Sequence, residues 1–130
     1  MFDLADRSRL RSAIIGDAVV LVAITAAGFL THSTLDETWR LAITTLGVLL
    51  AWALVAPWYG AFSTIVLTRP TAVWRVGWAW AIAAPVAGFI RALVLGVAVS
   101  ATFVLVLVAV NGVVMVAWRA TFAAVQQRRR

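Results

Sequence analysis

The chain has 130 residues, 64% hydrophobic and 12% charged, and its mean hydropathy is +1.00. A soluble domain of this length needs more polar surface than this composition supplies, so the sequence indicates an integral membrane protein. With no cysteine and one histidine, disulfides, thiolate catalysis and cysteine or multi-histidine metal sites are excluded, and we expect neither a metal nor another cofactor.

The first apolar run extends from Ala13 to Leu30 and follows three arginines, at 7, 9 and 11. This arrangement resembles a signal peptide, but the run is longer than a usual hydrophobic signal region. The sequence after it, "THSTLDETWR", has no convincing small-x-small cleavage site. We therefore predict that residues 13–30 form a retained membrane span.

The second span is predicted at residues 41–58, about 27 Å of helix, which matches one hydrocarbon core. Trp39 on one side and Trp58 with Tyr59 on the other are typical of an aromatic belt. The mildly apolar segment that follows, residues 59–73, is expected to lie along the inner membrane interface.

The apolar stretch from Trp74 to Trp118 is too long for one crossing, so we predict a break near residues 96–100. The resulting spans, 74–95 and 98–118, are expected to form a tight antiparallel hairpin and the closest helix pair. Small residues recur at every fourth position of the third span, which favours close helix packing. These residues are Ala84, Gly88, Ala92 and Gly96.

Arginine distribution predicts the orientation of these four spans. If both termini are cytoplasmic, nine arginines lie inside: 7, 9, 11, 69, 75, 119 and 128–130. Only Arg40 and Arg91 then lie outside, a strong positive-inside bias. We thus expect an all-α bundle of four transmembrane helices over residues 1–130, a single domain. The C-terminal arginines are expected to meet anionic headgroups, and no soluble region is large enough to bind nucleic acid.

Asp17 is the most unusual residue, because it lies about 9 Å along the helix beyond Arg11. An ionised carboxylate at this depth requires a partner. Residues of similar depth are Asn111, about 12 Å from Arg119, and the arginines 75 and 119 at the inner ends of spans three and four. The sequence predicts an intramembrane cluster of these four residues, which either locks helix packing or carries a proton or cation.

Arg91 lies about 24 Å along the helix from Arg75, just below the outer headgroups. The simplest interpretation is an interfacial anchor whose long side chain reaches the headgroups. His32 is expected at the same surface, as an ordinary loop residue or with Arg91 in a polar mouth that receives an anion or a headgroup.

Four short stretches together resemble the small prokaryotic membrane proteins catalogued as Domain of Unknown Function 3054. They are Gly16-Asp17, "GFLTH" at 28–32, "GFIRALVLG" at 88–96 and "SATF…AWR" from Ser100 to Arg119. Within the second span, "TTLGVLL" at 44–50 lacks the proline expected from that family's pattern. The resemblance implies a four-helix protein of the prokaryotic inner membrane and brings no established activity. The positions that match the family pattern are Asp17, Gly28, His32, Arg91, Trp118 and Arg119.

Three classes of function are compatible with these features. Four spans with an acid in the first resemble small exporters, which favours permeation or transport of a small solute or ion. Minimal loops and a small-residue stripe also fit a non-catalytic accessory or structural subunit, within a homo-oligomer or a membrane complex. We place permeation or transport slightly ahead of this alternative. We expect no enzyme, because no Ser/His/Asp set shares one depth.

Overall fold

The computed structural model describes residues 4–31 and 38–129, and the regular structure in these ranges is helical. A continuous helix runs from Ala101 to Arg128 through one π-helical turn, and is called the fourth span below. The helices are α1 (Leu4–Thr31), α2 (Thr38–Val55), α3 (Thr64–Thr68), α4 (Trp74–Leu95), α5 (Ala101–Val106) and α6 (Gly112–Arg128). Two 3-10 helices, Ala56–Tyr59 and Pro70–Ala72, and the π-turn, Leu107–Asn111, complete the described elements.

Four of these segments are long and apolar enough to cross a membrane: α1, α2 with its 3-10 extension, α4 and the fourth span. The predicted fold class, an all-α protein with four such helices, is confirmed. The helices extend beyond the apolar runs because polar residues at their ends continue the same helix. For example, α1 begins at Leu4 rather than near residue 13, and the fourth span continues to Arg128.

The break between α4 and the fourth span follows from local backbone chemistry. Gly96 has φ 66°, a left-handed conformation that glycine adopts without a Cβ clash, and it ends α4 after Leu95. The Ser100 side chain then accepts a hydrogen bond from the Phe103 amide at 3.2 Å and starts the next helix at Ala101. The third span thus has its predicted bounds, and the fourth begins three residues later than predicted.

The segment between α2 and α4 folds back into the end of the bundle. A 3-10 turn that contains Pro57 ends at Gly60, whose φ is 68°. Ser63 then caps α3, and this short helix packs against α6 and α1. Ala61, Val66 and Leu67 are buried in protein, so this part of the segment does not merely rest on the membrane interface.

Helix α4 makes its most extensive contact with α2, so the prediction that the third and fourth spans form the closest pair is wrong. The α2–α4 approach occurs at Gly47, where an added Cβ would lie 3.4 Å from the Ile90 side chain. Nevertheless Gly88 does face the fourth span, because an added Cβ there would come within 2.7 Å of Val104 Cγ2.

The predicted packing stripe on α4 is only partly a packing surface. Ala84, Gly88 and Ala92 are buried. Gly96 is exposed, and an added Cβ would meet no atom within 4 Å, so its assignment to the packing stripe is wrong. Gly96 belongs to the stripe by spacing alone, and its structural role is to terminate the helix.

The core lies between all four long helices and is built largely from aromatic, branched and small side chains. Its members include Leu21, Val48, Ala51, Trp52, Val76, Ala79, Trp80, Ala83, Ala84, Leu107 and Met115. The opposite faces of the same helices are also apolar, which suits a lipid environment better than water. Exposed apolar residues on these faces include Ile15, Val19, Leu46, Leu54, Trp78, Phe89, Leu93, Leu105 and Val113.

Candidate functional site

Asp17 lies on α1 inside the bundle, with 1% of its surface exposed. Each of its carboxylate oxygens accepts two hydrogen bonds. Oδ1 accepts from Trp118 Nε1 at 2.9 Å and Arg119 Nε at 2.8 Å. Oδ2 accepts from Trp52 Nε1 and Arg119 Nη2, both at 2.9 Å. We call these four residues the Asp17 cluster.

Arg119 provides the charge that balances the carboxylate, and its side chain is fully buried. Its two bonds to Asp17 form the parallel, bidentate geometry that a planar guanidinium favours. A third nitrogen, Nη1, donates to the Ala61 carbonyl at 2.9 Å, and the guanidinium carbon lies 5.0 Å from the Phe62 ring centroid. The folded-back segment after α2 thus completes the site.

The two tryptophans reach Asp17 from different helices. Trp52 comes from α2, where its ring also packs against Trp80 with centroids 5.9 Å apart. Trp118 precedes Arg119 on α6, and its indole lies against α1 at Gly16. A Cβ at Gly16 would overlap the Trp118 ring, so the glycine next to Asp17 permits this close approach.

This arrangement joins α1, α2, α6 and the segment after α2 through one buried ion pair. Burying either charge alone would be costly, whereas a bidentate pair with additional hydrogen bonds offsets much of that cost. Because both carboxylate oxygens are occupied by protein donors, Asp17 has little capacity to hold a substrate in this state. Among the described residues, no group of three His, Cys, Asp or Glu could hold a metal ion.

The structure separates the other two predicted members of the intramembrane cluster from Asp17. Arg75 lies with its guanidinium carbon 5.5 Å from the centroid of the neighbouring Trp74 ring and close to Gly60. Asn111 is buried in the π-turn, and its Nδ2 has no hydrogen-bond partner among the described residues. Depth along a helix does not specify the direction of a side chain, and neither Arg75 nor Asn111 is among the residues that hydrogen-bond the carboxylate.

The contributions of Trp52, Ala61 and Phe62 to this site were not predicted from the sequence. A usable signal existed for Trp52, because it lies within a span rather than at its ends. A buried indole N–H requires an acceptor, and Asp17 is the strongest acceptor in the described spans. No comparable signal identified Ala61, since any residue has a backbone carbonyl.

At the other end of the bundle, Arg91 connects three of the long helices. Its Nε donates to Thr44 Oγ1 of α2 at 3.2 Å, and its guanidinium carbon lies 4.8 Å from the Phe103 ring centroid in the fourth span. The remaining two nitrogens, Nη1 and Nη2, make no hydrogen bond that involves described residues. His32, the other residue of the predicted polar mouth, lies outside the described residues.

The four long apolar helices indicate the class of protein, a multi-pass membrane protein. Its helix bundle encloses a charged cluster, the ion pair between Asp17 and Arg119. Residues 14–122 match a family model described as "Protein of unknown function (DUF3054)", and the chain belongs to this family. The matched range includes the Asp17 cluster, Arg91 and Asn111. No match was found among the curated proteins or among the solved structures.

Proposed function

We propose that this chain is a non-catalytic integral membrane protein of accessory or structural type, and that the Asp17 cluster locks its helices together. The observation that carries the proposal is the complete occupation of the buried carboxylate by four donors from Trp52, Trp118 and Arg119. A carboxylate held in this way fixes the relative positions of the helices that carry its donors. A carrier would need to exchange one of these partners for its cargo.

The proposed location is a prokaryotic inner membrane, with both termini in the cytoplasm. Nine of the eleven arginines then lie on the cytoplasmic side, as the positive-inside rule favours. The Asp17 cluster is then at the inner end of the bundle, and Arg91 is at the outer end.

Lipid headgroups are the proposed partners of the two basic ends. Arg128 and Arg129 are exposed at the end of α6 and suit anionic headgroups. The Nη1 and Nη2 atoms of Arg91, which make no hydrogen bond to the described residues, suit a phosphate at the outer surface. An accessory role also implies a protein partner in the membrane, either a second copy or a subunit of a complex.

The lock is tested by comparing two single variants with the double variant. Asp17→Leu leaves the buried Arg119 without its counter-charge, and Arg119→Met leaves the carboxylate without its cation. Each should lower the free energy of unfolding by roughly 3–5 kcal/mol, because each isolates a buried charge. The double variant removes both charges and should lose clearly less than the sum, measured by unfolding of purified protein in detergent micelles.

A second candidate function, permeation or transport of a small solute or ion, is favoured by polar groups at three depths. Besides the Asp17 cluster, Asn111 lies near the middle of the fourth span and Arg91 with Thr44 near the other end. Proton flux into liposomes that hold a pH-sensitive dye distinguishes the two functions. The lock predicts flux equal to that of protein-free liposomes, and a carrier predicts flux that a folded Asp17→Asn variant loses.

A further inference from the structure

Asn111 has a buried hydrogen-bond donor that the bundle does not use. The residue is 5% exposed, and its Nδ2 has no hydrogen-bond partner among the described residues. It lies about 15 Å along the fourth span from Ala101, close to the middle of a hydrocarbon core. At this depth lipid offers no acceptor, so an unpaired amide is unfavourable unless something else accepts its hydrogen.

The backbone around Asn111 is also irregular, and Trp80 stabilises the irregularity. The residues from Leu107 to Asn111 form a π-turn, and Trp80 Nε1 donates to the Leu107 carbonyl at 2.9 Å. A Cβ at Gly112 would lie 3.1 Å from Trp80 Cδ1, so the glycine permits the indole to sit close to this turn. Such π-turns are rare and frequently occur at functional sites.

The chemistry of the amide and its surroundings restricts what can bind. An N–H donor requires an acceptor and repels a cation. The nearest charged residue on the same helix is Arg119, eight residues on, and its guanidinium is already engaged by Asp17 and Ala61. Arg119 is thus not available to neutralise an anion at Asn111, whereas a neutral oxygen acceptor needs no counter-charge.

We propose that Asn111 and the π-turn form a binding site for a small neutral oxygen acceptor within the bundle, with water as its simplest occupant. The site shares no residue with the Asp17 cluster, and the two are connected through the packing of Trp80 against Trp52. It places a polar group near the middle of the membrane, between the depths of the Asp17 cluster and Arg91.

Asn111 is the sole asparagine of the chain, which permits a direct test on the unaltered protein. Protein labelled with 15N-asparagine and placed in lipid nanodiscs gives one side-chain NH2 signal and one main-chain signal. We expect magnetisation transfer from water to the side-chain NH2 protons and much less to the Asn111 main-chain amide. Protein labelled with 15N-glutamine supplies the positive control, because Gln127 is exposed at the end of α6.

The two sources of the acceptor give different spectra. Transfer at the water frequency identifies water. Transfer from protons that belong to neither water, lipid nor protein identifies a retained neutral solute, which supports the same site chemistry. An NH2 signal that shows neither transfer, in a sample where Gln127 does show water transfer, would overturn the proposal.

Discussion

The groups that bind Asp17 come from two distant helices: Trp52 belongs to α2, and Trp118 and Arg119 belong to α6. Ala61, in the segment after α2, accepts a hydrogen bond from Arg119 and so supports the ion pair. The carboxylate therefore functions as a joint between elements that are far apart in sequence. Because Arg119 is buried as a cation, the charge of Asp17 matters as well as its hydrogen bonds. Asparagine at position 17 would keep one hydrogen-bond acceptor but would remove the negative charge that balances Arg119.

Gly16→Ala tests how closely the Asp17 cluster depends on its neighbour. The added methyl group would overlap the Trp118 indole and displace it from Asp17. We expect a loss of roughly 1–3 kcal/mol in the free energy of unfolding, the usual cost of overpacking.

Gly28→Ala is the matched control for this change, because it lies on the same helix and an added Cβ would meet no atom of the described residues within 4 Å. It should leave stability unchanged or slightly higher, since alanine favours helix more than glycine does. Both variants are compared by thermal unfolding in the same detergent. If the two behave alike, the contact between Gly16 and Trp118 does not stabilise the bundle.

The sequence was most informative about single residues whose chemistry is unusual in a membrane. An acid in the first span predicted a cationic partner, and matching depth placed Arg119 among three candidates. Depth alone could not select between Arg119, Arg75 and Asn111, because the direction of a side chain depends on how its helix is rotated in the bundle. That rotation is set by packing contacts such as Trp118 on Gly16, which only the folded structure shows.

At the scale of helices, local sequence signals predicted where helices begin and end, but they did not predict which helices pack against each other. The bounds of α4 agree with the prediction because Trp74 and Gly96 are strong local markers. The pairing of α4 with α2 was not predicted. The short turn after α4 indicates contact with the next helix in the sequence, and gives no information about contact with the preceding helix α2. The π-turn was also missed, because the contact that accompanies it is a hydrogen bond from Trp80 to the Leu107 carbonyl, 27 residues away in the sequence.

Gly88→Leu tests the contact between α4 and the fourth span. A Cβ alone would come within 2.7 Å of Val104 Cγ2, and a leucine side chain adds further bulk. We expect this variant to lower the unfolding temperature in detergent, since close helix approach requires a small residue. The control, Leu93→Ala, removes an exposed side chain from the same helix and should have a much smaller effect. Equal unfolding temperatures would contradict packing through Gly88.

At the scale of the whole molecule, polar groups are buried near both ends of an apolar bundle. The Asp17 cluster involves the folded-back segment after α2, and Arg91 contacts Thr44 and Phe103 toward the other end. Composition and span lengths were enough to predict the four long helices. Neither could show that residues 61–67 pack into the bundle, because this requires the matching surface of α6.

The proposed orientation leads to a prediction for the intact protein in cells. Arginines resist translocation across an energised membrane, so the nine that cluster at one side should remain in the cytoplasm. A fluorescent protein that folds only in the cytoplasm should be active when fused after Arg130. Alkaline phosphatase, which requires the periplasm, should be active when inserted at residue 36 and inactive after Arg69.

The fusion after Arg69 is the matched control, because it shares the predicted side with Arg130 but lies inside the chain. Phosphatase activity after Arg130 together with none at residue 36 would reverse the orientation. It would then place the Asp17 cluster at the outer surface and Arg91 at the inner one.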